Sequence, residues 1–153
     1  MRRHGMEEWA MGKKWPEVLV IDGQGGGLGR QVVQALKKNF PELPVYAAGT
    51  NGTAAESMRK AGADRAASGE NAVLVACRKA DVIIGPIGIV IADSMFGEIT
   101  PAMAQAAAQA DAKRILIPMN HCDNIVAGVP NGSAGALIGS AVEKLAAILQ
   151  EEE

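Results

Sequence analysis

Two patterns alternate along this chain: short continuous apolar runs, and longer stretches whose apolar positions recur with the 3.6-residue period of a helix. Glu17–Ile21 is a run of the first kind and predicts a strand. Leu28, Val32, Val33, Leu36 and Phe40 then share one face of a helix over about 28–39. Pro41 and Pro44 bracket the turn into a second strand, Val45–Ala48. A capping box, Thr53 to Glu56, predicts the start of the next helix, and Gly62 stands where a C′ glycine ends it. Arg65–Ala67 is a short third strand. A helix over about Glu70–Lys79 carries Glu70 at its start and Arg78 and Lys79 at its end, matching the helix dipole. The fourth strand, Asp81–Ile84, breaks into Gly85, Pro86, Ile87 and Gly88. Ile89–Gly97 is read either as a strand or as a helical turn. Thr100 as N-cap and Pro101 at the first helical position open a helix to about Asp111. Arg114–Pro118 is the fifth strand, Ile125–Val129 a candidate sixth, and Ser133 caps a closing helix to about Gln150.

Strands separated by helices imply a parallel sheet with right-handed crossovers and helices on both faces. The fold class is therefore α/β: doubly wound, with a mainly parallel five-stranded sheet, Rossmann-like or flavodoxin-like. Residues 17–150 read as one domain. Residues 1–16 show no clear period and end at Pro16. They read as a tail, as an upstream start with Met6 or Met11 as alternatives, or as an arm whose Trp9 and Trp15 dock on a neighbouring subunit.

The first strand runs straight into Gly23, Gly25, Gly26, Gly27 and Gly29, and a helix follows at once. A strand that turns through glycines into a helix N-terminus presents backbone N–H groups and the positive end of the helix dipole, an arrangement that favours phosphate. Gly23, Gly27 and Gly29 fit the short-chain dehydrogenase spacing of the dinucleotide loop. The G-x-G-x-x-G form fails because Leu28 stands where the third glycine belongs, and no Gly-Lys-Ser/Thr follows to make a P-loop. Gly23 would make the tight turn, Gly27 would admit the phosphate, and Gly29 would let the helix pack close on the strand. Arg30 is a further candidate phosphate contact, against the blander reading of a solvated surface arginine. The bland alternative is a glycine-rich turn for tight packing, with Asp22 tying the loop down.

Ligands of open α/β sheets lie beyond the carboxyl ends of the strands, at the switch in strand order. Those ends collect Asp22, Thr50 and Asn51 after the second strand, Gly85, Pro86 and Gly88 after the fourth, and Asn120, His121, Cys122 and Asp123 after the fifth. Strands one and four are expected to be neighbours across the crevice. The candidate ligand-binding set is Asp22, Gly23, Gly25, Gly27, Leu28, Gly29, Thr50, Asn51, Gly85, Pro86, Gly88 and Asn120, for NAD(P) or another nucleotide. A carboxylate expected about 20 residues past the loop, for ribose, is missing: Gly49, Thr50 and Asn51 are neutral. The Tyr-x-x-x-Lys pair of short-chain dehydrogenases is missing too, since the one tyrosine, Tyr46, lies on the second strand. His121 and Cys122 are weak catalytic candidates, against a polar loop with an incidental thiol. With His4 the sole other histidine, His121, Cys122 and Asp123 fall short of a structural zinc set, and no metal is assigned. Cys77, among Val73, Leu74 and Ala76, reads as a small core residue. Asp93, Ser94 and Glu98 form either an acidic cluster near the cleft or a set of caps and turn residues.

The chain has 153 residues, 48% apolar and 21% charged, with a net charge of −2 and scattered basic residues. Nothing there marks a nucleic-acid surface. The longest apolar run, Val82–Ala92, is too short and glycine-broken to span a bilayer, and no apolar signal-peptide core precedes it. Two cysteines give no disulfide framework, so a cytoplasmic location is expected. The alanine-rich helix after Pro101 has small side chains on nearly every face, which predicts a homodimer or larger assembly.

Taken together, Ile21 to Gly27, Gly49 to Asn51, Gly62 to Asp64, Gly69 to Asn71, Asp81 to Gly88 and Gly97 to Thr100 resemble a family of short prokaryotic proteins known only as a domain of unknown function. The likeness covers about residues 17–130. It implies a stand-alone domain and brings no activity, cofactor or catalytic residue. Three functions follow from the residues: a protein that binds a nucleotide or dinucleotide, a small oxidoreductase or transferase using the same cleft, or an interaction protein whose glycine loop holds no ligand.

Overall fold

A computed structural model describes residues 15–119, 124–129 and 133–151. Its five strands, β1 (Val18–Asp22), β2 (Val45–Gly49), β3 (Arg65–Ser68), β4 (Val82–Pro86) and β5 (Lys113–Ile117), pair in parallel in the order β3-β2-β1-β4-β5. That is the order of a Rossmann nucleotide-binding sheet, not the flavodoxin order, and it puts the reversal between β1 and β4. Five helices follow in turn: α1 (Gly27–Asn39), α2 (Gly52–Lys60), α3 (Glu70–Lys79), α4 (Pro101–Gln109) and α5 (Ala134–Glu151). A 3-10 turn, Ile87–Val90, follows β4 and overlaps the start of the ambiguous segment Ile89–Gly97.

β1 and β4 are buried along their whole length, as continuous apolar runs in a doubly covered parallel sheet must be. On one face Val18, Val20, Val45 and Ile84 pack under Val32, Val33 and Leu36 of α1, Met58 of α2, and Ile138, Leu145 and Leu149 of α5. On the other, Leu19, Ile21 and Ile83 pack under Val73 and Cys77 of α3, Ile89, Met95 and Ile99 of the β4–α4 connection, and Met103 and Ala107 of α4. Cys77 is a core residue, and burial pushes its thiol up to about 11.

Polar clasps set the register. Asp81 Oδ2 accepts from Glu17 N at 2.8 Å while Asp81 N donates to Glu17 O, which joins the starts of β1 and β4. Asp64 Oδ2 accepts from Val45 N and from Lys37 Nζ, 2.8 and 3.0 Å, at the start of β2. Burial alone would raise the Asp64 carboxyl; these hydrogen bonds and the Lys37 charge outweigh it and hold the group below its ordinary value.

Two expectations are corrected. Asn51, not Thr53, caps α2: Asn51 Oδ1 accepts from Ala54 N at 2.8 Å, and Glu56 pairs with Arg59 instead of reaching back. Ile125–Val129 is not a strand. Val129 N turns back to Val126 O through Gly128 at φ +80, and Ile125 is exposed. Thr100 and Ser133 cap α4 and α5 as expected, through Met103 N and Ala136 N.

Gly29 is required by close approach. A Cβ there would lie 2.7 Å from Met58 Sδ and 2.8 Å from Asp22 Cβ, whereas one on Gly27 would meet nothing within 4 Å. Gly29→Ala should therefore cost about 1–3 kcal/mol by overpacking, and Gly27→Ala less than about 0.5 kcal/mol. Urea denaturation of the two variants checks this, and equal midpoints would refute it.

Candidate functional site

The loop between β1 and α1 is built around Asp22, which is 5% exposed. Its Oδ1 accepts from Gly23 N at 2.8 Å and its Oδ2 from Gly29 N at 2.7 Å. Asp22 thereby replaces the missing side-chain cap of α1, whose N-cap is Gly26 in the left-handed region. The turn closes by Gly26 N to Gly23 O, 2.9 Å. Among the described residues no acceptor meets the N–H groups of Gly25, Gly27 and Leu28. A Cβ on Gly25 or Gly27 would stand in open space.

These groups face a cavity of about 290 Å³ in the crevice between β1 and β4. Asp22, Gly23, Gly25, Gly27, Leu28 and Pro86 line it, as does Gln31. Met95, from the β4–α4 connection, and Met119 and Ala134, on either side of the β5–α5 connection, also line it. Gly25 also borders a groove of about 460 Å³ beside Gly52, Thr53, Glu56, Ser57 and Lys60 of α2. Six of the candidate ligand residues thus come together at one cavity. Gly29 lies behind it, packed on Asp22 and Met58. Gly85 and Gly88 do not line it: a Cβ on Gly85 would strike Ile21 O at 2.5 Å, and one on Gly88 would meet Ser94 Oγ at 3.0 Å, so both serve packing. Arg30 is exposed at the start of α1. Asn120, His121, Cys122 and Asp123 lie outside the described residues.

Thr50 and Asn51 are drawn to a different partner. Glu98 Oε1 accepts from Thr50 Oγ1 at 2.6 Å, from Asn51 Nδ2 at 2.8 Å and from Gln24 N at 2.8 Å. Asn51 Nδ2 also donates to Gln24 O at 3.0 Å. One carboxylate oxygen therefore joins the glycine loop to the end of β2. Burial on its own would raise the Glu98 carboxyl; the hydrogen bonds from Thr50, Gln24 and Asn51 outweigh it and leave the group below its ordinary value of 4.5.

Glu98 is delivered by a strained turn. Asp93, Met95 and Phe96 have φ of 67, 59 and 56°, and Gly97 has 85°. Each such non-glycine residue costs about 1–3 kcal/mol and persists only where its surroundings over-determine it. Here Asp93 N donates to Ile99 O, Gly97 N to Asp93 O, and Ser94 Oγ to Gly88 O, while Met95 and Ile99 are buried. Phe96, at the tip, is 95% exposed.

The domain of unknown function DUF3842 matches residues 17–150. The chain belongs to the DUF3842 family. No curated protein matches it significantly. Among solved structures, a dodecameric FMN-dependent UbiX-like decarboxylase from Escherichia coli O157:H7 is 18% identical, with a TM-score of 0.43 over 84% of this chain and 76% of that one. For this DUF3842 protein the Rossmann order therefore rests on its own strand pairing. No helix among the described residues is long and apolar enough to cross a membrane.

Because the folded state lowers the Glu98 pKa, its contribution to stability is complete above the unfolded value and is lost as pH falls through the folded one. Glu98→Ala should cost about 1–3 kcal/mol at pH 7, by removing the charged acceptor that Thr50, Asn51 and Gln24 share. Its deficit relative to wild type should shrink below pH 4.5. Denaturation at pH 7 and at pH 3 checks the sign, and an undiminished deficit at pH 3 would refute it.

Proposed function

We propose that this DUF3842 protein binds a nucleotide, with a ligand phosphate on the glycine loop. One observation carries the reading: Gly25, Gly27 and Leu28 present N–H groups that no acceptor among the described residues meets, with room for an anion, to a cavity at the β1/β4 reversal. An N-terminal helix end with its dipole favours that charge. The cavity, at about 290 Å³, sits at the small end of ligand pockets, which span about 300–1,000 Å³. It suits one phosphate-bearing half of a dinucleotide such as NAD(P), or a mononucleotide. The groove beyond Gly25 extends the surface for the remainder. Calorimetry against pyrophosphate, ADP, NAD, NADP and FMN tests the reading. Gly27→Val should lower the affinity at least tenfold while changing stability by less than about 1 kcal/mol. Failure of wild type to bind any of the five at millimolar concentration would overturn it.

The outer face of α4 supports a second proposal, a homodimer in the cytoplasm. Ala102, Ala106 and Ala110 leave a groove of about 600 Å³ against Leu74 of α3. Closed two-fold assembly is the commonest way to cover such a face. Light scattering at micromolar concentration should give at least twice the mass of one chain, and Ala106→Glu should shift it toward monomer. A monomeric wild type would refute the proposal.

A further inference from the structure

We infer that Glu98 is the acceptor for a ligand sugar hydroxyl and selects an unphosphorylated ribose, an inference that rests on the nucleotide reading above. Rossmann sites place a carboxylate at the end of β2 for the ribose hydroxyls. Here β2 ends in Gly49, Thr50 and Asn51, and the carboxylate arrives in space from the β4–α4 connection. Glu98 Oε1 is 2.6 Å from Thr50 Oγ1 and 2.8 Å from Asn51 Nδ2, in contact with the two positions where a β2-borne acid would stand.

The division of labour between its oxygens supports the assignment. Oε1 takes all three protein donors, and Oε2 takes none from the described residues. Glu98 is half-buried, so Oε2 keeps its lone pairs for a hydroxyl arriving from solvent. The same Oε1 binds Gln24 N, and the next residue, Gly25, offers an open N–H to phosphate. Through Gln24 N the carboxylate is tied to the residue next to Gly25, so the proposed sugar acceptor and phosphate donor border the same turn. The three donors keep Glu98 anionic and fixed in orientation, so a hydroxyl donates to it in a charge-assisted bond. A 2′-phosphate would bring like charge against Oε2, and the one cation of the adjoining groove, Lys60, is at the far end of α2.

Calorimetry with pyrophosphate, 5′-AMP, 2′-deoxy-5′-AMP and adenosine 2′,5′-bisphosphate tests this on the full chain. Wild type should bind 5′-AMP about tenfold more tightly than either 2′-variant. E98A should lose the preference over the deoxy nucleotide. E98Q retains an oxygen for the three protein donors but carries no charge, and should bring the bisphosphate to within about threefold of 5′-AMP. Circular dichroism and thermal melting confirm that both variants are folded. Equal wild-type affinities for all three nucleotides, or a preference unchanged in the variants, would overturn the assignment of Glu98 and leave the phosphate seat standing if pyrophosphate binds. Failure of all four compounds would overturn the nucleotide reading and this inference with it.

Discussion

The buried carboxylate of Asp22 fixes how β1, the glycine turn and α1 relate to one another, and the candidate site is a consequence of that arrangement. An Asp at the last residue of a fully buried strand is costly unless its oxygens are satisfied. Here they accept from Gly23 N and Gly29 N, one on each side of the turn. The second bond demands that α1 come within hydrogen-bonding distance of β1, and only a glycine at 29 allows it, because Asp22 Cβ and Met58 Sδ occupy the space of any Cβ. Close packing and capping are therefore one interaction. It also decides which N–H groups of the turn are engaged: Gly29 is taken, whereas among the described residues no acceptor meets those of Gly25, Gly27 and Leu28.

How much of this was legible in the sequence follows from the range of each interaction. Strand–turn–helix order, the glycine loop, the caps at Thr100 and Ser133 and the C′ glycine at 62 are all set by residues a few positions apart, and each is where the pattern puts it. The α2 cap was misread because Asn51 and Thr53 are both good cap residues, and a distant partner decides between them. Asn51 wins by also reaching Gln24 O and Glu98. Local pattern had no means of weighing that contact. Ile89–Gly97 resisted reading for a related reason. Asp93, Met95 and Phe96 adopt left-handed backbone that their side chains disfavour, and their positions are imposed by the buried Met95 and Ile99.

Glu98 shows the same limit at the site. Its partners are 74, 48 and 47 residues away, so the missing carboxylate after β2 looked like an argument against a ribose site. The available signal was weak: an acidic residue in a loop after β4, beside two residues, Thr50 and Asn51, that have donors and no acid. Only the pairing of β1 with both β2 and β4 brings these loops to the same end of the sheet. Gly85 and Gly88 show the same limit in reverse. Their position at a strand end suggested a ligand wall, yet their open sides are filled by Ile21 O and Ser94.

The chemistry of the described wall bears on what a bound ligand would experience. Asp22 is the ionisable side chain that lines the cavity, and both its oxygens are engaged by backbone N–H groups. Moving a proton through it would sacrifice the bond that holds α1 on β1, so Asp22 is suited to holding the loop and unsuited to acid–base work. Tyr46, on β2, packs on the opposite sheet face with Leu19 and Ile83, away from this wall. Met95 and Met119 instead give the cavity soft, apolar sides with no group to donate or accept a proton. The described wall therefore combines the backbone N–H groups of the glycine turn with apolar methionine sides, while Glu98 stands beside it, tied to Gln24, Thr50 and Asn51.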